Sequence, residues 1–304
     1  MSTADTTYTA RRTHQDRFVT LRGLRHHLLQ WGDSSLVTPE RPLLVMLHGW
    51  MDVGASFQFA VDALREERCI VAMDWRGFGL SDNGPSDSYW FPDYLGDLDA
   101  LLDQLSPDAP VDLLGHSMGG NVVMSYAGVR PARIRRLINL EGFGLPDMPP
   151  ELAPKRVADW LDELKTPQQL KPYPSLEAVA ERLIKTNPRL AAEKARWLAP
   201  HWSREVDGEW IILGDPAHKR TNPVLYRKAE IVAGWSRIEA PTLWIEGDST
   251  DITKWWGNRY PREDFESRLG VVKQLERHVL ANAGHMLHHD QPEALAAHLE
   301  NFLG

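Results

Sequence analysis

The sequence predicts an α/β fold: a mostly parallel central sheet, helices on both faces and a helical segment inserted between two strands. Three observations carry this reading. Short apolar runs alternate with helical patterns through the first half of the chain. A Gly-x-Ser-x-Gly turn, Gly115-His116-Ser117-Met118-Gly119, sits between such a run and such a pattern. The alternation stops near residue 146 and resumes near residue 236. Alternation of this kind favours parallel strands, because each helix returns the chain across a face of the sheet.

The elements follow in order. Residues 18–21 and 24–30 read as a first antiparallel pair. Residues 42–47 form an unbroken apolar run, the mark of a strand buried on both faces. A helix over 57–64 leads to a second buried strand at 69–73. A helix over 94–105 comes next, then the strand Val111-Asp112-Leu113-Leu114 and the turn. The helix after the turn includes 121–127, and a further strand covers 134–140. From 146 to 235 the chain is rich in Pro and Trp and mostly helical, with amphipathic stretches at 156–164, 176–185 and 189–198. Strands return at 241–246 and about 277–281, and a helix over 293–302 closes the chain. The expected division is therefore a core of residues 1–145 and 236–304 around an inserted cap of residues 146–235. The sheet needs both flanks, so the cap is not expected to be an independent domain.

Composition narrows the function classes. A chain of 304 residues can bury a large core. It is 42% hydrophobic and 25% charged, as ordinary globular proteins are. A net charge of −8 without a dense basic tract argues against nucleic acid or an anionic membrane as partner. The single cysteine, Cys69, excludes an internal disulfide and reads as a core residue. No run approaches a membrane span, and residues 1–7 lack the basic and apolar regions of a signal peptide. They read as a polar leader, and the expected location is cytoplasmic.

The strand–turn–helix around Ser117 has the form of a nucleophile elbow. The tight turn pushes the serine hydroxyl out beyond the sheet, and the flanking glycines avoid collisions with the neighbouring strand and helix. His285, in Gly284-His285 after the last strand, is the expected base, since neutral imidazole can take the serine proton near pH 7. His288 and His289 read as flanking the last helix, and the other nine histidines as structural or solvated. The loop His48-Gly49-Trp50 closes the strand at 43–47. The backbone amides of Trp50 and Met118 are the expected oxyanion donors. Three carboxylates compete for the role of the acid. Asp248 and Asp251 lie after the strand that follows the cap, and Glu141 ends the strand at 134–140. All three stand beyond the carboxyl ends of strands, where ligands bind in such sheets.

Longer stretches carry a family resemblance. Leu47-His48-Gly49-Trp50-Met51-Asp52, Asp74-Trp75-Arg76-Gly77-Phe78-Gly79-Leu80-Ser81-Asp82, residues 115–120 and Gly284-His285 resemble the loops of α/β-hydrolase-fold serine hydrolases. The His-Gly-Trp and Asp-Trp-Arg-Gly loops are most similar to the serine hydrolase-like subgroup. The resemblance is good over about 41–127, at both ends of the cap and at the last strand. One departure bears on the acid. Members with the acid after the cap carry Asp three residues beyond the glycine aligned with Gly247, and here that residue is Thr250. Relatives that place the acid one strand earlier match Glu141, 141 − 117 = 24 residues after the serine. Glu141 is therefore the expected acid, with Asp251 and Asp248 as alternatives. Serine as nucleophile sets the chain apart from the dehalogenases and epoxide hydrolases of this fold, which attack with Asp.

The resemblance implies a cofactor-free serine hydrolase acting through an acyl-enzyme on an ester, thioester or related acyl bond of a small molecule. Perhydrolysis, C–C bond hydrolysis and a non-catalytic small-molecule receptor are the alternatives. The substrate is expected to be largely apolar, against Tyr89, Trp90, Phe91 and Phe143, with Trp160, Trp197, Trp202 and Trp210 as further aromatics from the cap. No metal is expected, because His288-His289-Asp290 is poorly spaced to converge on an ion.

Overall fold

The computed structural model describes residues 6–304, so most of the polar leader lies outside the described residues. The chain runs β1 (Gln15–Leu21), β2 (Leu24–Trp31), β3 (Leu44–Leu47), α1 (Gln58–Ala63), β4 (Ile70–Met73) and α2 (Phe91–Leu105). It continues β5 (Val111–His116), α3 (Met118–Val129) and β6 (Ile134–Leu140). A long excursion follows: α4 (Ala153–Leu164), α5 (Leu176–Thr186), α6 (Ala192–Trp202), β7 (Ser203–Val206), β8 (Glu209–Ile212) and α7 (Lys228–Trp235). The chain rejoins the sheet at β9 (Thr242–Gly247) and ends α8 (Thr253–Trp256), α9 (Arg262–Leu269), β10 (Leu275–Leu280), α10 (Leu287–Asp290) and α11 (Pro292–Leu303).

Eight strands form one sheet in the order β1-β2-β4-β3-β5-β6-β9-β10. β2 runs antiparallel to β1 and β4, and β3 to β6, β9 and β10 run parallel to one another and to β4. β3 shows why its sequence is unbroken in apolar residues. Val45 and Leu47 pack into a cluster with Leu98, Leu101 and Val122 of α2 and α3. Leu44 and Met46 pack on the other face with Ala60, Val61, Leu295 and Leu299 of α1 and α11. Side chains alternate between faces along a strand, so helices on both faces demand apolar residues at every position.

The excursion between β6 and β9 has a small core of its own. Val179, Ala180, Leu183, Leu190, Ala195, Leu198 and Ala199 pack with Phe59 from the main body. Its expected helices are present, but β7 and β8 form an antiparallel hairpin that the helical reading missed. A signal for it exists. Asp207-Gly208 occupies the two-residue turn, with φ of +51° and +82°, the backbone that Asp-Gly hairpin turns require. α2 also begins earlier than expected, so Phe91 is helical and Trp90 is its N-cap.

Candidate active site

The site assembles where four parallel strands end. β5 ends at His116, and Ser117 follows with φ +52° and ψ −112° before α3 starts at Met118. That conformation is costly for a residue with a side chain and persists only where packing enforces it. The glycines explain how the turn fits. A Cβ on Gly115 would strike the Gly119 carbonyl, and a Cβ on Gly119 would strike the carbonyls of Leu47 and His48. The loop after β3 lies against the turn, since a Cβ on Gly49 would sit 3.1 Å from Ser117 Cβ. His48 anchors this loop: its Nε2 accepts from the Trp75 amide at 3.0 Å, and its carbonyl accepts from Trp75 Nε1 at 3.0 Å.

His285 lies five residues beyond β10. In the tautomer that suits both contacts, Ser117 Oγ donates to its Nε2 at 2.9 Å and its Nδ1 donates to Glu141 Oε2 at 3.1 Å. Glu141 follows the last residue of β6 and is buried, with φ +60°. Its other oxygen accepts the Gly247 amide at 2.6 Å, tying it to the end of β9. Burial pushes the Glu141 carboxyl up from the ordinary range, and the bond to His285 opposes that shift. An edge-on Trp255 ring, 4.7 Å from that of His285, packs beside this imidazole. Sequence reading did not single out Trp255.

The alternative acids are engaged elsewhere. Asp248 accepts from the amides of Asn282 and Ala283, at 3.0 and 3.3 Å. Asp251 accepts from the amide and hydroxyl of Thr253, at 3.0 and 2.6 Å. Both are exposed. The amides of Trp50 and Met118 have no acceptor among the described residues. Met118 opens α3, where first-turn amides lack helical partners and the helix dipole favours negative charge.

A cavity of about 480 Å³ opens over Ser117 and His285. The loop after β3 contributes Gly49 to Asp52, and the excursion contributes Leu170, Tyr173, Leu183, Leu190, Trp202 and Ile212. Exposed Lys171, Arg182 and Lys219 also line it, and none has a salt-bridge partner among the described residues. Trp202 Nε1 donates to Asp52 Oδ1 at 3.1 Å, which pins the excursion to the loop.

The expected aromatic wall is not the wall of this cavity. Tyr89, Trp90, Phe91 and Phe143 all lie outside its lining, as do Trp160, Trp197 and Trp210. Each is used for packing. Tyr89 stacks on His218 and donates to Asp215 at 2.8 Å. Trp90 meets Trp160 edge-on. Phe91 packs on the core from the start of α2. Phe143 is buried against Trp244 and Phe265. Of the aromatics expected to form the wall, Trp202 alone faces the cavity.

A strained serine at a strand-to-helix turn, hydrogen-bonded to a histidine beyond the last strand, is the arrangement of an α/β-hydrolase. Residues 42–292 match the α/β hydrolase fold family, and the chain belongs to it. It is similar to the serine hydrolase-like protein of Danio rerio, 27% identical over 90% of this chain and 83% of that protein. It is also 27% identical to the esterase YbfF of Escherichia coli K12, over 86% of this chain and 92% of that protein. Among solved structures, the thioesterase domain from the curacin biosynthetic pathway superposes with a TM-score of 0.81 at 26% identity, covering 95% of this chain and 99% of that one. The chain is thus a hydrolase enzyme of the α/β-hydrolase fold. No helix among the described residues is long and apolar enough to cross a membrane.

Proposed function

We propose that the chain cleaves an ester or thioester through an acyl-enzyme on Ser117. The observation that carries this reading is the unbroken relay from Glu141 through His285 to Ser117, with contacts of 3.1 and 2.9 Å. Ser117 Oγ attacks the acyl carbon while His285 Nε2 takes its proton. The carbonyl oxygen becomes an oxyanion and receives the Trp50 and Met118 amides. His285 then gives its proton to the departing alkoxide or thiolate. Water, activated by the same histidine, releases the acid and restores Ser117. Buried Glu141 holds the imidazole in the required tautomer and stabilises its positive charge.

Residues 146–235 act as a cap over this site, on a core of 1–145 and 236–304. The cavity is within the size range of small-molecule sites. Its aliphatic and aromatic residues suit a largely apolar acyl group, and the esterase and thioesterase names of the relatives agree with acyl chemistry. A fluorophosphonate probe tests the reading. It should label Ser117 at one equivalent, and Ser117→Ala should abolish both labelling and p-nitrophenyl ester hydrolysis. Stoichiometric labelling of a different serine would refute it.

A further inference from the structure

Behind the relay lies a group of buried polar atoms that the hydrolytic chemistry does not use. One nitrogen or oxygen from each of Asp52, His116 and His288 lies within 4.8 Å of the others. All three side chains are at least nine-tenths buried. Asp52 Oδ2, His116 Nδ1 and both ring nitrogens of His288 have no hydrogen-bond partner among the described residues. An unsatisfied buried polar group destabilises the fold, so unpartnered atoms gathered from three residues call for a common partner.

The remaining polar atoms of two of these residues are already committed. His116 Nε2–H donates to the His285 carbonyl at 2.8 Å, which leaves Nδ1 as a free lone pair. A metal-bound imidazole ordinarily gives its second N–H to a carbonyl in this way. Asp52 Oδ1 accepts from the Val53 amide at 2.9 Å, from Ser56 Oγ and from Trp202 Nε1. The carboxylate is therefore held in place with Oδ2 presented.

We propose that Asp52, His116 and His288 form a binding site for a divalent transition cation, zinc by preference. Two imidazoles and one carboxylate suit zinc, which often takes three protein ligands and leaves a fourth position to solvent. Asp52 and His116 both line the cavity, which provides an entry path and a place for that fourth ligand. Zinc–nitrogen and zinc–oxygen bonds of about 2.0–2.2 Å require the three side chains to close by on the order of an ångström. The ion takes no part in acyl transfer. Its ligands come from the loop after β3, the end of β5 and α10. It would therefore staple together the three segments that present Trp50, Ser117 and His285. The sequence separates these residues by up to 288 − 52 = 236 positions, so spacing cannot reveal the site.

The test uses tag-free full-length protein, stripped with EDTA and titrated with Co²⁺ and Zn²⁺. The expected result is one equivalent of Co²⁺ with the visible band of a four-coordinate ion, displaced by Zn²⁺. Zinc should also raise the Tm, since an ion that binds only the folded chain stabilises it by mass action. His288→Phe and Asp52→Asn should each weaken binding roughly 100-fold and abolish the Tm shift. If His288→Phe does not fold, His288→Gln, which stays polar but lacks the imidazole lone pair, serves in its place. His278→Ala dismantles the half-buried His278–His298 pair beside Glu276 and should leave binding intact. No binding to the wild type, binding unchanged in both site variants, or binding lost only in His278→Ala would each overturn the proposal. None of these readouts depends on acyl transfer, so failure here leaves the proposed reaction standing, and the reverse holds too.

Discussion

The sheet and the excursion between β6 and β9 contribute to one cavity in different ways. Ser117 and Glu141 each stand immediately beyond a strand whose register is set by paired neighbours. Their positions follow from the ends of β5 and β6, and their backbones take left-handed φ values that only a tightly packed frame enforces. The excursion instead supplies cavity residues from helices, a loop and a hairpin with a small core of its own. It reaches the main body through discrete contacts: Trp202 to Asp52, Tyr89 to Asp215, Trp160 to Ser88 and Asn187 to Asp290. Chemistry placed at strand ends is held to fractions of an ångström. A surface built from separately packed helices is free to vary, which is how one sheet serves many substrates.

This contrast predicts the largest effects at the strand ends. Glu141→Gln should cut kcat by roughly 10²–10⁴ and leave KM near wild type. Asp248→Asn and Asp251→Asn should stay within about threefold of wild type. Steady-state kinetics on one ester, with circular dichroism as a folding check, decides it. A collapse confined to Asp251→Asn would return the acid to the loop after β9.

Acid should act next, and on the joint between the two regions. His218 stacks between Phe78 and Tyr89, and His201 lies against His14 and Trp197. Burial lowers both to about 4. Their unfolded value is about 6.5, so below that pH the unfolded chain binds protons that the folded chain refuses. The stability they contribute is complete above pH 6.5 and falls away as the pH drops toward 4. The loss is on the order of 3 kcal/mol per histidine across that window. Urea midpoints measured from pH 7 to 4.5 should fall, and His218→Gln should flatten the curve. A midpoint independent of pH would show that neither ring stays neutral in the folded chain.

The smallest effects should separate wall from packing. Trp202→Phe removes one hydrogen bond at the cavity and should raise KM by roughly 2- to 10-fold with little change in kcat. Phe143→Leu should lower stability by about 1 kcal/mol and leave KM alone, because Phe143 packs away from the cavity. A KM effect from Phe143→Leu exceeding that from Trp202→Phe would restore the aromatic wall expected from sequence.

The sequence by itself determined what local patterns encode. Unbroken apolar runs require strands covered on both faces, and Gly115, Ser117 and Gly119 specify a turn that only those residues fit. The glutamate just beyond β6 was legible for the same reason, since a carboxylate following a buried strand needs a partner. Tertiary structure alone decided which partner each group meets. It put Glu141 at 3.1 Å from His285 and left Asp248 and Asp251 to nearby amides and hydroxyls. It turned Tyr89, Trp90, Phe91 and Phe143 away from the cavity, although their composition would suit a wall. It also gathered Asp52, His116 and His288 from three distant segments. The physical reason is range. Periodicity and turn chemistry act over a few residues and are written in order along the chain. Side-chain neighbours depend on how whole elements pack, and an aromatic or a histidine has the same sequence signature whether it fills a core, lines a pocket or faces an ion.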